Sequence, residues 1–263
     1  MSKIAQRKIL LTNDDSGDSP LLPFVVEVLK ERGDLTVVVP KEERSWSSKS
    51  ITHYGTLHLE PISLDNGNAY SLDGTPSDCA NLGIYHLFDD KPDLVVSGIN
   101  LGLNAGLGAF LASGTVGACL EANIAGLPAV ALSQKLSKTL FRDWAKHRRI
   151  PGGELARFRD QIRSHLKQVF GYLYDVEGFW NRPVMWNVNL PDQPASDCRV
   201  ILTSLAPKLY GSCFKGEGNR FTHEVDFFLE CGQGDTDAEV VKRGHISVTR
   251  VDIRELGRSG GSA

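Results

Sequence analysis

Residues 8–18 read KILLTNDDSGD: a short apolar run, Lys8 to Thr12, that stops at Asn13 and two adjacent carboxylates, Asp14 and Asp15. An uninterrupted apolar run predicts a strand covered on both faces, the type that builds parallel sheets. Three further runs share this character: LTVVV (35–39), DLVVSG (93–98) and PAVALS (128–133). Helical segments separate them. SPLLPFVVEVLKERG (19–33) offers Ser19 as N-cap, Pro20 in the first turn and Gly33 as a stop. TPSDCANLGIYHLF (75–88) opens with the capping box Thr75-x-x-Asp78 and Pro76 at the first helical position, and SGTVGACLEANIAG (113–126) starts at a Ser-Gly-Thr turn. Strands alternating with helices predict a doubly wound βαβ sheet with right-handed crossovers.

The pattern changes after residue 135. In GGELARFRDQIRSHLKQVFGYLYD (152–175), Leu155, Phe158, Ile162, Leu166, Val169 and Leu173 recur at steps of three and four, which predicts a docked amphipathic helix. RVILTSLAP (199–207), HEVDFFLEC (223–231) and HISVTRVDI (245–253) read as strands. The expected organisation is therefore a Rossmann-like core over 1–135. A helix and β-rich extension over 136–263 completes the fold or serves as an oligomerisation arm. The tail GRSGGSA (257–263) is expected to be disordered.

Composition excludes several classes of function. The formal net charge is −3, Lys and Arg are scattered, and the longest basic run is KHRR (146–149), so no field attracts a nucleic acid polymer. The five cysteines are dispersed without a C-x-x-C pair, which fits reduced thiols better than a disulfide frame or zinc site. No apolar stretch approaches the ~18 residues of a membrane span, and MSKIAQRK lacks a signal core, so a soluble cytoplasmic protein is expected.

In an open parallel sheet, ligands bind at the carboxyl ends of the strands. Asp14 and Asp15 follow the first strand, Ser45 the second, Asn100 and Asn104 the third, and Ser133-Gln134 end the fourth. Two carboxylates, a hydroxyl and an amide on one rim are the hard oxygen donors that Mg²⁺ or Mn²⁺ prefers. An acidic pair after a strand is equally common as a plain turn or helix cap. Ser113, Gly114 and Thr115 present free backbone N–H groups and hydroxyls at a helix start, a setting for a phosphate, although Ser113 or Thr115 also serves as an ordinary cap. Rival motifs fail. No Lys stands where a P-loop needs it, Gly106-x-Gly108-x-x-Leu111 breaks the dinucleotide fingerprint, Ser77 lacks the glycines of a nucleophile elbow, and no H-E-x-x-H occurs. DDSGDS does not supply the Asp-x-Asp of a haloacid dehalogenase-type phosphatase.

Eight blocks, in order, carry a resemblance: ILLTNDD (9–15), VVVPKEERS (37–45), GTPSDCANLG (74–83), PDLVVSGINLG (92–102), SGTVGACLEA (113–122), GLPAVALS (126–133), NVNLPD (187–192) and DTDAEVVKRGHISVT (235–249). Together they resemble the SurE family, the stationary-phase survival proteins, which are metal-dependent 5′/3′-nucleotidases; the likeness runs from about residue 8 to 253. It implies a three-layer α/β/α sandwich with a Rossmann-like, mostly parallel sheet, and a C-terminal extension that exchanges elements in a homodimer or homotetramer. It further implies one divalent cation per subunit on Asp14, Asp15, Ser45 and Asn100, with Asp14 and Asp15 catalytic. Asp14 would serve either as nucleophile or as the group orienting water. Asn104, Ser113, Gly114 and Thr115 would contact the phosphate of a nucleoside 5′- or 3′-monophosphate.

This chain departs from the family pattern. Ser16 stands where Gly usually follows the aspartates, bulky Trp46 follows Ser45, the Asn100–Ser113 segment is one residue longer, and SVTR (247–250) replaces S-V-T-P. If the backbone after Asp15 needs a positive φ, Ser16 is a poor occupant. These changes leave a second class open, a non-catalytic nucleotide-binding or regulatory protein with an altered site. Trp46 either stacks on a base or packs as a loop anchor.

Overall fold

The computed structural model describes residues 6–64, 67–224 and 234–256. The four apolar runs form strands β1 (Lys8–Thr12), β2 (Asp34–Pro40), β5 (Leu94–Leu101) and β6 (Ala129–Gln134). Two short strands, β3 (Leu59–Pro61) and β4 (Asn68–Leu72), extend one edge, while β7 (Met185–Leu190), β8 (Val200–Thr203) and β11 (Ile246–Val251) extend the other. The nine strands run in the order β3-β4-β2-β1-β5-β6-β7-β11-β8. All neighbouring pairs are parallel except β3–β4 and β7–β11. The segment after residue 135 thus continues the same sheet. A separate antiparallel hairpin, β9 (Phe214–Glu217) and β10 (Arg220–His223), stands apart from it.

Alternation along β1 shows why the run is apolar throughout. Ile9 and Leu11 join a core with helices α1 (Leu22–Lys30), α5 (Lys138–His147) and α6 (Gly152–Tyr174). Leu10 points to the opposite face, into a core with α2 (Pro76–His86) and α4 (Gly114–Ile124). Helices on both faces of a mostly parallel sheet make the three-layer α/β/α sandwich. In α6, Phe158, Ile162, Leu166, Val169 and Leu173 are buried as their spacing predicts, and Leu155 packs at the margin. Each fully buried side chain of this size contributes roughly 1.5–3 kcal/mol of transfer free energy.

The Thr75–Asp78 capping box forms as expected: the Thr75 hydroxyl accepts from the Asp78 N–H at 3.1 Å, and the Asp78 carboxylate accepts from the Thr75 N–H at 2.8 Å. Ser19 does not cap α1. That helix begins at Leu22 after Leu21, with Pro23 in its first turn, and no side chain caps it. A turn intervenes, in which the Leu22 N–H donates to the Ser19 carbonyl at 3.2 Å. In the expected strand 223–231, His223 ends β10 and the residues from Val225 onward lie outside the described residues, as does the tail 257–263. Two short helices, α3 (Leu107–Ala112) and α7 (Asp237–Lys242), complete the fold.

Candidate active site

The carboxyl ends of β1, β2, β5 and β6 open into a cleft of about 770 Å³. Asp14, Asp15, Ser45, Asn100, Asn104 and Ser113 all line it. The aspartates are almost fully buried at 2% and 6% exposure, and neither caps the helix that follows, one of the plain roles the sequence left open. Ser16, directly after them, has φ +68, the conformation for which Gly is the easier occupant. The Asn13 side-chain amide secures it by donating to the Ser16 carbonyl at 2.7 Å.

Neutral donors hold both carboxylates. Asp14 accepts from the Thr115 hydroxyl at 2.6 Å and from the Thr115 N–H at 3.2 Å. Asp15 accepts from the Leu101 N–H at 3.1 Å. Burial pushes the Asp14 carboxyl up to about 6, against the lowering effect of the Thr115 bonds. Asp15 is raised well above the ordinary carboxylate range, first by burial and then by the charge of Asp14. Arg148, which already pairs with Glu43, only weakly opposes this. Two buried carboxylates with neutral partners form a site that gains by taking a cation.

The donor set fits a hard divalent ion. Among the described residues no group of three or more His, Cys, Asp or Glu gathers to hold a metal, so an ion here would rest on two carboxylates and neutral oxygens. The Ser45 hydroxyl donates its hydrogen to Glu43 at 2.6 Å, which leaves its lone pairs open. Asn100 is aimed by an irregularity in the β5–β6 register between Ser97 and Asn100. Gly98 makes it possible: its φ is +126, and a Cβ there would lie 2.4 Å from the Leu132 carbonyl oxygen.

At the start of α4, the Ser113 hydroxyl accepts from the Val116 N–H at 3.2 Å and so caps the helix, while its own hydrogen remains to donate. Thr115, fully buried, directs both donors at Asp14 instead of the cleft. Gly114 lets the helix approach the aspartates closely: a Cβ would lie 3.0 Å from that of Asp14 and 2.6 Å from the Ser47 hydroxyl. Ser48 is engaged elsewhere, donating to the Leu111 carbonyl at 2.7 Å.

Asn104 rests on a polar floor supplied by later strands. Its N–H donates to the Asn189 side-chain oxygen at 2.9 Å, its carbonyl accepts from the Asn187 amide at 2.8 Å, and its own amide donates to the Ser133 hydroxyl at 2.9 Å. Two residues on, the Gly106 N–H donates to Asp237 at 2.8 Å. Sequence reading placed Ser133 on the rim but gave no supporting role to it or to Asn187, Asn189 and Asp237, and it missed the charged wall of Glu43, Lys135, Arg142 and Arg148. The NVN of 187–189 was the only signal, as buried asparagines on a strand need partners.

A family model described as "Survival protein SurE" matches residues 9–212. The chain is 33% identical over 258 residues to the "5'-nucleotidase SurE" of Carboxydothermus hydrogenoformans, covering 93% of this chain and 89% of that protein. To the "5'-nucleotidase SurE" of a Sulfurovum species it is 35% identical over 266 residues, covering 96% and 94%. Among solved structures, the SurE protein from Aquifex aeolicus superposes with a TM-score of 0.71 at 26% identity, covering 94% of this chain and 96% of that one. With the aspartate pair, Asn104 and Ser113 lining one cleft, these likenesses place the chain in the SurE family.

Proposed function

We propose that this SurE-family chain is a nucleotidase that releases phosphate from nucleoside 5′- and 3′-monophosphates with the aid of one Mg²⁺ or Mn²⁺ per subunit. The observation that carries the reading is the buried Asp14–Asp15 pair at the floor of the cleft, beside Ser45 and Asn100. The names of the relatives, each a 5′-nucleotidase, point the same way. When bound, a divalent cation polarises a phosphoryl oxygen and lowers the pKa of a bound water. Asp14, Asp15, Ser45 and Asn100 would hold it.

The remaining chemistry belongs to the chain. Thr115 fixes the Asp14 carboxylate in one orientation, so the group that directs the attacking water, or attacks itself, needs no rearrangement. The Ser113 hydroxyl keeps its hydrogen to donate to a phosphoryl oxygen as charge redistributes, and Asn104, whose amide gives one hydrogen to Ser133, has a second to offer. Gly114 keeps this phosphate wall close to Asp14.

The protein works in the cytoplasm as a homodimer or homotetramer assembled through the 136–263 segment. The exposed Phe214 and Phe221 on the β9–β10 hairpin support the assembly, since a monomer would leave both in water. No helix among the described residues is long and apolar enough to cross a membrane. The test is phosphate release from 5′-AMP and 3′-AMP with Mg²⁺ or Mn²⁺, then with EDTA. Release that the chelator stops supports the reading. Nucleotide binding without release under any divalent ion would replace it with the non-catalytic alternative.

A further inference from the structure

Trp46 occupies an unusual position beside this site. Its φ is +61, a region that bulky side chains rarely adopt. Its loop is nevertheless pinned. The Arg44 N–H donates to the Asp14 carbonyl at 2.7 Å, and the Ser48 N–H donates to the Ala112 carbonyl at 3.0 Å. Gly117 makes room underneath, since a Cβ there would lie 2.1 Å from the Ser48 carbonyl oxygen. The indole is therefore displayed at a fixed place, one residue from Ser45 and close to Asp14.

Among the described residues, two other rings hold it in orientation. The Tyr210 centroid lies 5.3 Å away at an interplanar angle of 65°, and that of His223 lies 5.0 Å away at 76°. Behind His223, Phe214 adds a further edge contact at 5.8 Å. Trp46 still keeps 37% of its surface open, and both it and His223 line the cleft that holds Asp14 and Asp15. Ala109 and Ala112 of α3 continue this wall with small apolar side chains.

We propose that Trp46, backed by His223 and Tyr210, is the nucleobase subsite: the substrate's base stacks on this aromatic wall while its phosphate reaches the aspartate floor. This deepens the nucleotidase reading and rests on it. Stacking tolerates any base, because every base has a π face, so the subsite selects nucleotides over phosphate esters of aliphatic alcohols.

The test has two parts. The first compares kcat/KM for 5′-AMP and glycerol 1-phosphate in wild type, Trp46→Ala and Trp46→Phe. The preference for 5′-AMP is expected to fall about 10- to 100-fold in Trp46→Ala, mostly through KM, and to recover in Trp46→Phe. An unchanged preference, or equal losses on both substrates, would make Trp46 a loop anchor and overturn the proposal. The second part titrates adenosine, which carries no phosphate, against the same three proteins by calorimetry. Binding to wild type and Trp46→Phe that Trp46→Ala loses supports the subsite even if neither ester is hydrolysed, a result that would instead sink the nucleotidase reading. Absence of adenosine binding to wild type would overturn the subsite and leave the hydrolysis reading untouched.

Discussion

Thr115 gives both of its donors to one carboxylate: its hydroxyl lies 2.6 Å from one oxygen of Asp14, and its N–H lies 3.2 Å from the other. The residue at the helix start that the family resemblance assigns to the phosphate is thereby committed to aiming an aspartate. Charge-assisted bonds to a buried carboxylate contribute about 1.5–3 kcal/mol each. Thr115→Val keeps the shape and the N–H but removes the hydroxyl, so kcat on 5′-AMP is expected to fall roughly 10- to 100-fold. Thr115→Ser restores the donor and is expected to stay within about tenfold of wild type. Equal activity in all three proteins would mean that the orientation of Asp14 does not matter.

Asp14→Asn removes one of two adjacent buried charges without altering shape. Wild type is expected to gain several degrees in Tm on addition of Mn²⁺, because an ion that binds only the folded state stabilises it by mass action. The variant is expected to lose most of that gain and nearly all turnover. Differential scanning fluorimetry with and without EDTA reads the first effect, and phosphate release reads the second. A variant that still turns over substrate would remove Asp14 from the chemistry.

Asp237 binds three backbone N–H groups, those of Gly106 at 2.8 Å, Ala206 at 2.9 Å and Ala238 at 2.8 Å. Asp237→Ala leaves these buried donors without an acceptor, each a penalty of about 1–3 kcal/mol. The expected result is a Tm lower by roughly 5–15 °C. Asp237→Asn, which keeps an acceptor oxygen, should lose less. A Tm unchanged in Asp237→Ala would show that water replaces the carboxylate without penalty.

His165 sets a pH dependence remote from the site. It is buried in α6, with Nε2 3.8 Å from the Cys198 sulfur and Nδ1 without a partner among the described residues, and burial pulls its pKa down to about 4. The unfolded chain takes up a proton near pH 6.5, while the folded chain resists until about 4. The stability contributed by the neutral imidazole is therefore complete above 6.5 and is lost as pH falls through that window. Urea unfolding at pH 7 and pH 4.5 should show a drop for wild type of up to about 2–3 kcal/mol beyond that of His165→Leu. Parallel curves for the two proteins would rule this out.

The strands of the core were legible because burial on both faces leaves a mark in the residues themselves, as in Ile9, Leu10 and Leu11. The α6 stripe was legible for the same reason. Strand β7 was not proposed as a strand, because Asn187 and Asn189 interrupt its apolar run; both are fully buried and engaged by Asn104, a relationship that exists only after folding. Helix α5 escaped notice because only Leu140 and Trp144 are buried among polar neighbours. The aspartate pair, Ser45 and Asn100 were placed on one rim from their positions after strands, and all four line the cleft. Glu43, Arg148 and His223 were not, since nothing local distinguishes a charged loop residue that faces a cleft from one that faces water. Ser19 misled for a related reason: the residues suit a cap, but the chain takes an extra turn before the helix starts.

The supports of Asn104 and Gly106 come from much later in the chain, Asn187, Asn189 and Asp237, the last of them 131 residues beyond its partner. A nascent polypeptide halted before Asn187 already carries both aspartates, Ser45 and Asn100, yet it lacks the floor that fixes the loop facing them. Long-range closures of this kind form late and slowly. Interrupted synthesis therefore yields the aspartate pair without the loop that faces it, and the finished cleft becomes a report that translation has passed Asp237.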